Sequence, residues 1–245
     1  MRPMPLPEPQ QSGSSYSSAG PPWYRTPFWS MTTWLIAINI IIFIIDALTY
    51  GQLTRFGALS GHGILHVQVW QLLTFQFLHA GPFHLIFNML WLYFLGPLVE
   101  WRFGKVRFVL FYLFCGLAGG ALFLFQWYFR DRLLNQDTLL VGASAGIFGV
   151  MAAAVKLAPG VKIRMWFPPI AITLRAMFWI LVGLAALTIY TGGFNNGGEA
   201  AHLGGAAVGA LLVRKVNWLD LARGPKRQRF WKPGDAATTF LRKDI

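Results

Sequence analysis

A serine and a histidine in separate apolar stretches have the residue types of a nucleophile and its general base. Ser144 stands in the string Gly142-Ala143-Ser144-Ala145-Gly146, which matches the G-x-S-x-G pattern of serine hydrolases. A serine hydroxyl needs a base to become a nucleophile, and His202 lies in a later apolar stretch. Each residue alone also fits a structural explanation, namely helix packing for the small-residue cluster and a carbonyl partner for the histidine. No strand pattern precedes Leu139, which argues against the α/β-hydrolase context.

Three further polar residues interrupt apolar stretches and extend this candidate site. His84 and Asn88 are four residues apart and therefore share one face of a helix. Glu199 stands three residues before His202 and is within reach of it. No acid is clearly placed to orient the histidine, so the sequence favours a two-residue Ser–His pair over a triad.

The composition indicates that these residues lie in a membrane protein. The chain has 245 residues, of which 55% are hydrophobic and 12% are charged, whereas about a quarter of the residues in a soluble domain are charged. The single cysteine, Cys115, excludes an internal disulfide and a multi-thiolate metal site, and we interpret it as a small buried hydrophobe.

Six apolar segments approach the roughly 17–25 residues that cross a bilayer as a helix. They predict an all-α, polytopic bundle with helices at Met31–Leu48, Phe83–Trp101, Phe108–Phe129, Leu139–Leu157, Ile170–Tyr190 and Gly198–Val213. Residues 49–82 form a long first loop, and its apolar part, residues 70–78, is too short to span. Residues 1–30 are predicted to be a disordered tail, residues 31–215 the membrane domain, and residues 216–245 a basic tail.

The basic residues predict the orientation of this bundle. With both termini in the cytoplasm, 18 of the 21 Lys and Arg residues fall on the cytoplasmic side, and Arg55, Arg130 and Arg132 fall outside. This split also explains the net charge of +12 without a nucleic-acid partner. We expect the basic C-terminal tail to attract anionic lipid headgroups.

The orientation places the candidate residues at one depth. The second, fourth and sixth helices all run inward from the outer face, and at 1.5 Å per residue His84, Asn88, Ser144 and His202 lie roughly 2–9 Å below their outer ends. The spacing of Gly205 and Gly209 allows the sixth helix to approach a neighbour closely. If Ser144 begins the fourth helix, backbone N–H groups near it are free to bind an anion.

These motifs together resemble the rhomboid family of intramembrane serine proteases. The stretch His79-Ala-Gly-Pro-Phe-His84-Leu-Ile-Phe-Asn88 has the H-x₄-H-x₃-N spacing of that family. Gly142-Ala143-Ser144 is similar to its G-x-S motif, and Ala201-His202-Leu203-Gly204-Gly205, followed by Gly209, is similar to its A-H-x-G-G-x-x-x-G helix. The resemblance covers about residues 30–215 and implies the basic six-helix form common in bacteria.

The resemblance implies a role for each residue of the chemical site. Ser144 would attack the scissile carbonyl, and His202 would act first as base and then as acid. Asn88, His84 and the backbone N–H of Ser144 would form the oxyanion hole. Phe148 would stack on the ring of His202.

The resemblance also implies supporting elements. Gly142 would support the oxyanion hole as part of the G-x-S motif, and His79 would hold the first loop through hydrogen bonds. Glu100 and Arg102 would be structural at the cytoplasmic end of the second helix. The segment from Gly192 to Gly198 would form a mobile cap. One departure is Gln71, which stands after Trp70 where many family members have an arginine, and it puts an arginine-dependent contact of the first loop in doubt.

The expected function is cleavage of single-pass membrane proteins near the extracytoplasmic ends of their transmembrane segments. The expected location is the cell membrane, with both termini in the cytoplasm, and the partners are substrate helices and the lipid bilayer. No cofactor and no metal is expected. The alternative is an inactive rhomboid-like protein that binds membrane helices in trafficking or degradation.

Overall fold

The fold is known from a computed structural model, which describes residues 30–131, 138–164, 171–193 and 195–219. Most of the two predicted tails, 1–30 and 216–245, lies outside these ranges. The exceptions are Ser30, which caps the first helix, and residues 216–219, which continue the last one. The last helix is therefore longer at its C-terminal end than the predicted segment Gly198–Val213.

Helices make up most of the described chain. They are α1 (Met31–Leu48), α2 (Gln52–Gly57), α3 (Gly61–Leu65), α4 (Gln71–Thr74), α5 (Pro82–Phe103), α6 (Lys105–Gln126), α7 (Ser144–Leu157), α8 (Leu174–Thr191) and α9 (Asn196–Leu219). A 3-10 turn, Phe75–Phe77, follows α4, and a π-helical turn, Trp127–Asp131, extends α6. Two short antiparallel pairs join β1 (Leu59–Ser60) to β2 (Leu139–Leu140) and β3 (Lys162–Arg164) to β4 (Ala171–Thr173).

Among the described residues, four helices are long and apolar enough to cross a membrane. They are α1, α5, α6 with its extension to Arg130, and α8. The helix α7 is apolar but has only 14 residues, and it begins at Ser144 rather than at Leu139. The reason is tertiary, because Leu139 and Leu140 pair with β1 and are extended.

The helices α7 and α9 lie inside the bundle, whereas α1 and α8 lie at its outside. Much of α7 is buried, and α9 packs against α6, α7 and α8. By contrast, α1 buries only four side chains and α8 only three, and their exposed apolar faces suit contact with lipid. The site carried by α7 and α9 therefore lies within the protein rather than at a lipid-facing surface.

Glycines let α9 touch the backbone of its neighbours. A Cβ added at Gly205 would collide with the backbone carbonyl of Ala145, and one added at Gly209 would collide with the backbone of Gly149. On the adjoining face, a Cβ at Gly204 would lie 2.7 Å from the carbonyl oxygen of Ala118. The close approach expected from the Gly205 and Gly209 spacing is therefore present, and α7 is the neighbour.

A buried carboxylate fastens α1 to the end of α5. Glu100 accepts hydrogen bonds from the backbone N–H of Met31 at 2.8 Å and from the backbone N–H and the hydroxyl of Thr32 at 2.9 and 2.8 Å. The first N–H groups of a helix have no partner within the helix, so the carboxylate satisfies donors that would otherwise be buried and unpaired.

Glu100→Gln is expected to destabilise the bundle by about 1–3 kcal/mol, because the amide turns one acceptor into a donor that faces other donors. The measurement is the free energy of unfolding in detergent micelles. Thr32→Val removes one donor only and should have the smaller effect. Because both residues share one network, the double variant should lose less than the sum of the two single variants. Strict additivity would contradict this account.

Candidate active site

Contacts with the first loop set the position of Ser144. The backbone N–H of Gly142 donates to the carbonyl of Phe75 at 2.9 Å, and β2 pairs with β1 just before it. Gly142 has a φ of +130°, which favours glycine. The chain then turns, and Ser144 is the first residue of α7. The sharp turn thus presents Ser144 at the end of a buried helix.

The packing of α9 against α7 brings the histidine to the serine. His202 Nε2 lies 2.8 Å from Ser144 Oγ, although the two residues are 58 positions apart. The glycine contact at Gly205 is one turn further along α9 and permits this approach. The pair has the geometry in which a histidine takes a proton from a serine hydroxyl.

A carboxylate occupies the other side of the histidine ring. Glu199 Oε2 lies 2.9 Å from His202 Nδ1, so the acid that the sequence did not clearly place is in contact. The side chains of Glu199 and His202 are 25% and 17% exposed, and the pair is thus only partly hydrated. The spacing of three residues on one helix was the signal for this contact in the sequence.

The ring of His202 is also held from one face. Phe148 stacks on it with ring centroids 4.4 Å apart and an angle of 5° between the planes. Phe148 lies four residues after Ser144 on α7, one helical turn further along. The same helix therefore supplies both the serine and the aromatic surface that orients the imidazole.

Hydrogen-bond donors without acceptors lie near the serine. Ser144, Ala145 and Gly146 form the first turn of α7, where N–H groups have no partner within the helix, and no side chain caps this end. Asn88 is buried on α5, and within the described part of the chain its Nδ2 has no hydrogen-bond acceptor. A buried amide donor without an acceptor is energetically unfavourable unless a ligand satisfies it.

Gly142 separates His84 from Ser144. A Cβ added at Gly142 would lie 2.9 Å from His84 Nε2 and 3.6 Å from Ser144 Oγ. A side chain at this position would therefore displace the imidazole of His84. On its other side, His84 packs edge-on against His79, with ring centroids 5.1 Å apart.

His79, the residue predicted to hold the first loop through hydrogen bonds, is buried before α5. Within the described ranges, neither ring nitrogen makes a hydrogen bond of good geometry. Burial, together with the smaller effect of the neighbouring His84, lowers the pKa of His79 from 6.5 to about 4, and the backbone of Phe77 acts in the opposite direction. His79 is therefore a neutral packing residue at pH 7.

Acidification is expected to destabilise the protein through His79. The imidazole of His79 binds a proton below about pH 6.5 in the unfolded chain but only near pH 4 in the folded chain. The contribution of neutral His79 to the free energy of unfolding is therefore fully present above pH 6.5 and is lost as the pH falls towards 4. In His79→Gln, the loss of unfolding free energy between pH 7 and 4.5 should be smaller than in the wild type by about 2–3 kcal/mol. The control is His66→Gln at an exposed histidine, which should leave the dependence of the unfolding free energy on pH as it is in the wild type. If His79→Gln showed the same pH dependence as the wild type, His79 would be excluded as the cause.

Gln71, the departure from the resemblance in the first loop, is buried there. Its Oε1 accepts a hydrogen bond from the backbone N–H of Ser60 at 3.1 Å, and its Nε2 donates to Gln68 at 2.7 Å. Gly63 leaves the space that the amide fills. The uncharged amide of Gln71 thus makes the contacts at this position of the first loop, where the resemblance would place the cation of an arginine.

The segment predicted to be a cap is partly helical. Asn196, Gly197 and Gly198 form the first turn of α9, and Gln126 Nε2 donates to Asn196 Oδ1 at 2.6 Å. Before them, the N–H of Gly193 donates to the carbonyl of Thr188 at 2.9 Å. The first residues of α9 are therefore tied to the end of α6, and Phe194 lies outside the described residues.

The site has the side chains of nucleophilic serine chemistry. Within the described ranges, no group of three His, Cys, Asp or Glu side chains is placed to hold a metal ion. The arrangement offers a hydroxyl, a base in contact with it, and donors for a developing oxyanion, which are the parts that acyl transfer requires.

Comparison with known proteins gives consistent matches. The family model described as Rhomboid domain matches residues 66–217. Rhomboid protease AarA of Providencia stuartii is 30% identical over 201 residues, covering 75% of this chain and 71% of AarA. RHOMBOID-like protein 1 of Arabidopsis thaliana is 34% identical over 65% of this chain, and Rhomboid protease GluP of Bacillus subtilis (strain 168) is 31% identical over 72% of it. The chain spans only 38% and 32% of the lengths of these last two relatives.

Proposed function

The chain belongs to the rhomboid family, and on that premise we propose that it is a serine endopeptidase that cleaves peptide bonds in the transmembrane segments of other membrane proteins. It is a multi-pass integral membrane protein. The observation that carries the proposal is the distance of 2.8 Å between Ser144 Oγ and His202 Nε2. Two relatives bear the name rhomboid protease, which agrees with this assignment.

The catalytic cycle follows from this pair. Ser144 Oγ attacks the scissile carbonyl carbon while His202 Nε2 takes the hydroxyl proton. The tetrahedral intermediate collapses as His202 returns that proton to the leaving amine, and Ser144 remains acylated. Water, activated by the same histidine, then hydrolyses the ester and regenerates the serine. No cofactor is needed for any of these steps.

The oxyanion hole in this proposal consists of Asn88 Nδ2, the backbone N–H of Ser144 and His84. The lack of an acceptor for Asn88 Nδ2 within the described residues supports its assignment, since a negative oxygen would satisfy the buried donor. The free N–H groups at the start of α7 add the positive end of a helix dipole. Gly142 supports the hole by leaving room for the imidazole of His84.

The position of the site explains how a membrane protein carries out hydrolysis. We place the protein in the cell membrane, with six helices across the bilayer and both termini in the cytoplasm. The helices α7 and α9 are the fourth and the sixth of these. Ser144 and His202 then lie near the outer ends of α7 and α9, where water has access. A substrate helix has its own carbonyls hydrogen-bonded, so small, helix-breaking residues near its outer end favour unwinding into the site.

The partners in this proposal are single-pass membrane proteins as substrates and the surrounding lipid. The C-terminal tail, which lies beyond the described residues, carries Lys226, Arg227, Arg229 and Lys232, and these charges suit anionic headgroups. No nucleic acid is required to explain the positive charge.

The test is proteolysis in liposomes with a tagged single-pass substrate. The wild type should cut near the outer end of the substrate helix. Moving the cleavage sequence about seven residues deeper, roughly 10 Å, should abolish cutting, because the bond no longer reaches the depth of Ser144. Undiminished cutting at the deeper position would contradict the proposed site depth. If no substrate is cut and a fluorophosphonate does not label Ser144, the protein is better explained as an inactive rhomboid-like binder of membrane helices.

A further inference from the structure

We propose that Glu199 is a positioning residue for His202, so that this protein works with a Ser144–His202–Glu199 triad rather than with a serine–histidine pair. The inference rests on the proposed function, because it assigns a further residue to the same reaction. It does not follow from the family motifs quoted above, since Glu199 lies outside all three of them.

Two contacts of one imidazole ring carry the inference. Glu199 Oε2 lies 2.9 Å from Nδ1, and Ser144 Oγ lies 2.8 Å from Nε2, so the acid and the serine contact opposite nitrogens of His202. An ionised carboxylate only accepts hydrogen bonds, and Nδ1 must therefore carry the proton. This leaves the lone pair on Nε2, facing the serine hydroxyl, which is the tautomer that a general base requires.

The same contact acts during the reaction. When His202 takes the serine proton, the imidazolium is formed 2.9 Å from a negative charge. Both side chains are partly shielded from water, and Phe148 covers one face of the ring. The attraction is therefore stronger than between fully hydrated groups and stabilises the charged state that accompanies the transition state.

The backbone holds Glu199 in place for this role. Glu199 and His202 are three residues apart on α9, and the N–H of Glu199 donates to the carbonyl of Asn195 at 3.1 Å. The neighbouring Asn196 is bonded to Gln126 on α6. The carboxylate is thus carried by a helical turn that is fixed to another helix, and it moves together with the histidine.

A purely structural role for Glu199 is the competing explanation. A carboxylate in the first turn of a helix also stabilises that helix through its dipole. This role predicts a lower midpoint of thermal unfolding but no change in the turnover of the folded enzyme. The positioning role predicts a loss of kcat, with little change in KM, because the acid contacts the histidine and not the substrate.

The experiment measures kcat and KM for liposome-embedded wild type, Glu199→Gln, Glu199→Ala and Glu199→Asp, with Ser144→Ala as the inactive reference. The Gln and Ala variants should lose about 10- to 100-fold in kcat, with KM changed less than about twofold. The Asp variant, which keeps the charge on a shorter arm, should recover part of the loss. The rate of labelling of Ser144 by a fluorophosphonate should fall in the same order.

The outcomes separate this inference from the proposed function. If the wild type cuts, Ser144→Ala does not, and Glu199→Ala matches the wild type in kcat and in labelling, the triad is overturned and the protease remains. A lower thermal midpoint with unchanged kcat would assign Glu199 to helix stability alone and would also overturn it. If no substrate is cut but Ser144 is labelled, the labelling rates decide the role of Glu199. If Ser144 is not labelled at all, both proposals fail.

Discussion

Ser144→Ala is expected to abolish cleavage, with kcat/KM reduced about 10⁴-fold or more. The substitution removes the oxygen that attacks the carbonyl, and no neighbouring described group replaces it, since Oγ is the atom that faces His202 Nε2 at 2.8 Å. The fold should persist, because the Ser144 side chain does not cap α7 and alanine is a good helix former. The measurement is cleavage of the tagged substrate in liposomes, with the thermal midpoint as the control for folding.

A second variant sharpens this test. His202→Ala should be nearly as inactive, and the double variant Ser144→Ala/His202→Ala should be no worse than either single variant, since the two residues act as a unit. Independent, multiplicative losses would show that they do not work together. Cutting by Ser144→Ala at the wild-type rate would assign the activity to another residue or to a contaminant.

Gly205→Leu is expected to disrupt the bundle, with a loss of about 3 kcal/mol or more in the free energy of unfolding. The Cβ of the new side chain would overlap the backbone carbonyl of Ala145. This overlap is not easily relieved, because a helix backbone moves only together with its packed neighbours. Because α9 also carries His202, any separation of α9 from α7 would remove the base from the serine. The measurements are the thermal midpoint in detergent and cleavage in liposomes, and both should fall together.

Gly183→Leu is the matched control for this prediction. Gly183 lies on the exposed side of α8, and a Cβ added there meets nothing within 4 Å. The same substitution at this position should leave stability and cleavage close to wild type. If Gly205→Leu were as stable as Gly183→Leu, the helices α7 and α9 could not be in backbone contact at this point.

The residue types and their spacing predicted much of the candidate site. Polar groups in apolar segments are rare because burial penalises them, so Ser144, His202, His84 and Asn88 stood out without a structure. The hydropathy likewise predicted α1 with the bounds Met31–Leu48. The resemblance to the rhomboid family is confirmed by the match of residues 66–217. The roles of the individual site residues remain predictions.

Contacts between segments and the orientations of side chains could not be predicted from the sequence. The apolar run extended the predicted fourth helix to Leu139, whereas α7 begins at Ser144, which was the alternative start. An apolar run does not reveal that Leu139 and Leu140 pair with Leu59 and Ser60 in the first loop. The hydrogen bonds of His79 to the first loop stay a prediction, because within the described residues its ring nitrogens have no partner of good geometry although the backbone of Phe77 lies close to them. Spacing alone also does not tell whether the Glu199 rotamer points along α9 towards His202, so the choice between a serine–histidine pair and a triad stays a prediction.

The sequence by itself determined that this is a membrane protein with a serine, a histidine and side-chain amide donors in separate apolar segments. Hydropathy and periodicity are local properties, and they can be read from neighbouring residues in the sequence. Only the tertiary structure decided that His202 Nε2 lies 2.8 Å from Ser144 Oγ, that Phe148 covers the ring and that Glu199 contacts its far side. These distances depend on how closely α9 packs on α7. That separation is set by the contact of Gly205 with the backbone of Ala145, between residues 60 positions apart.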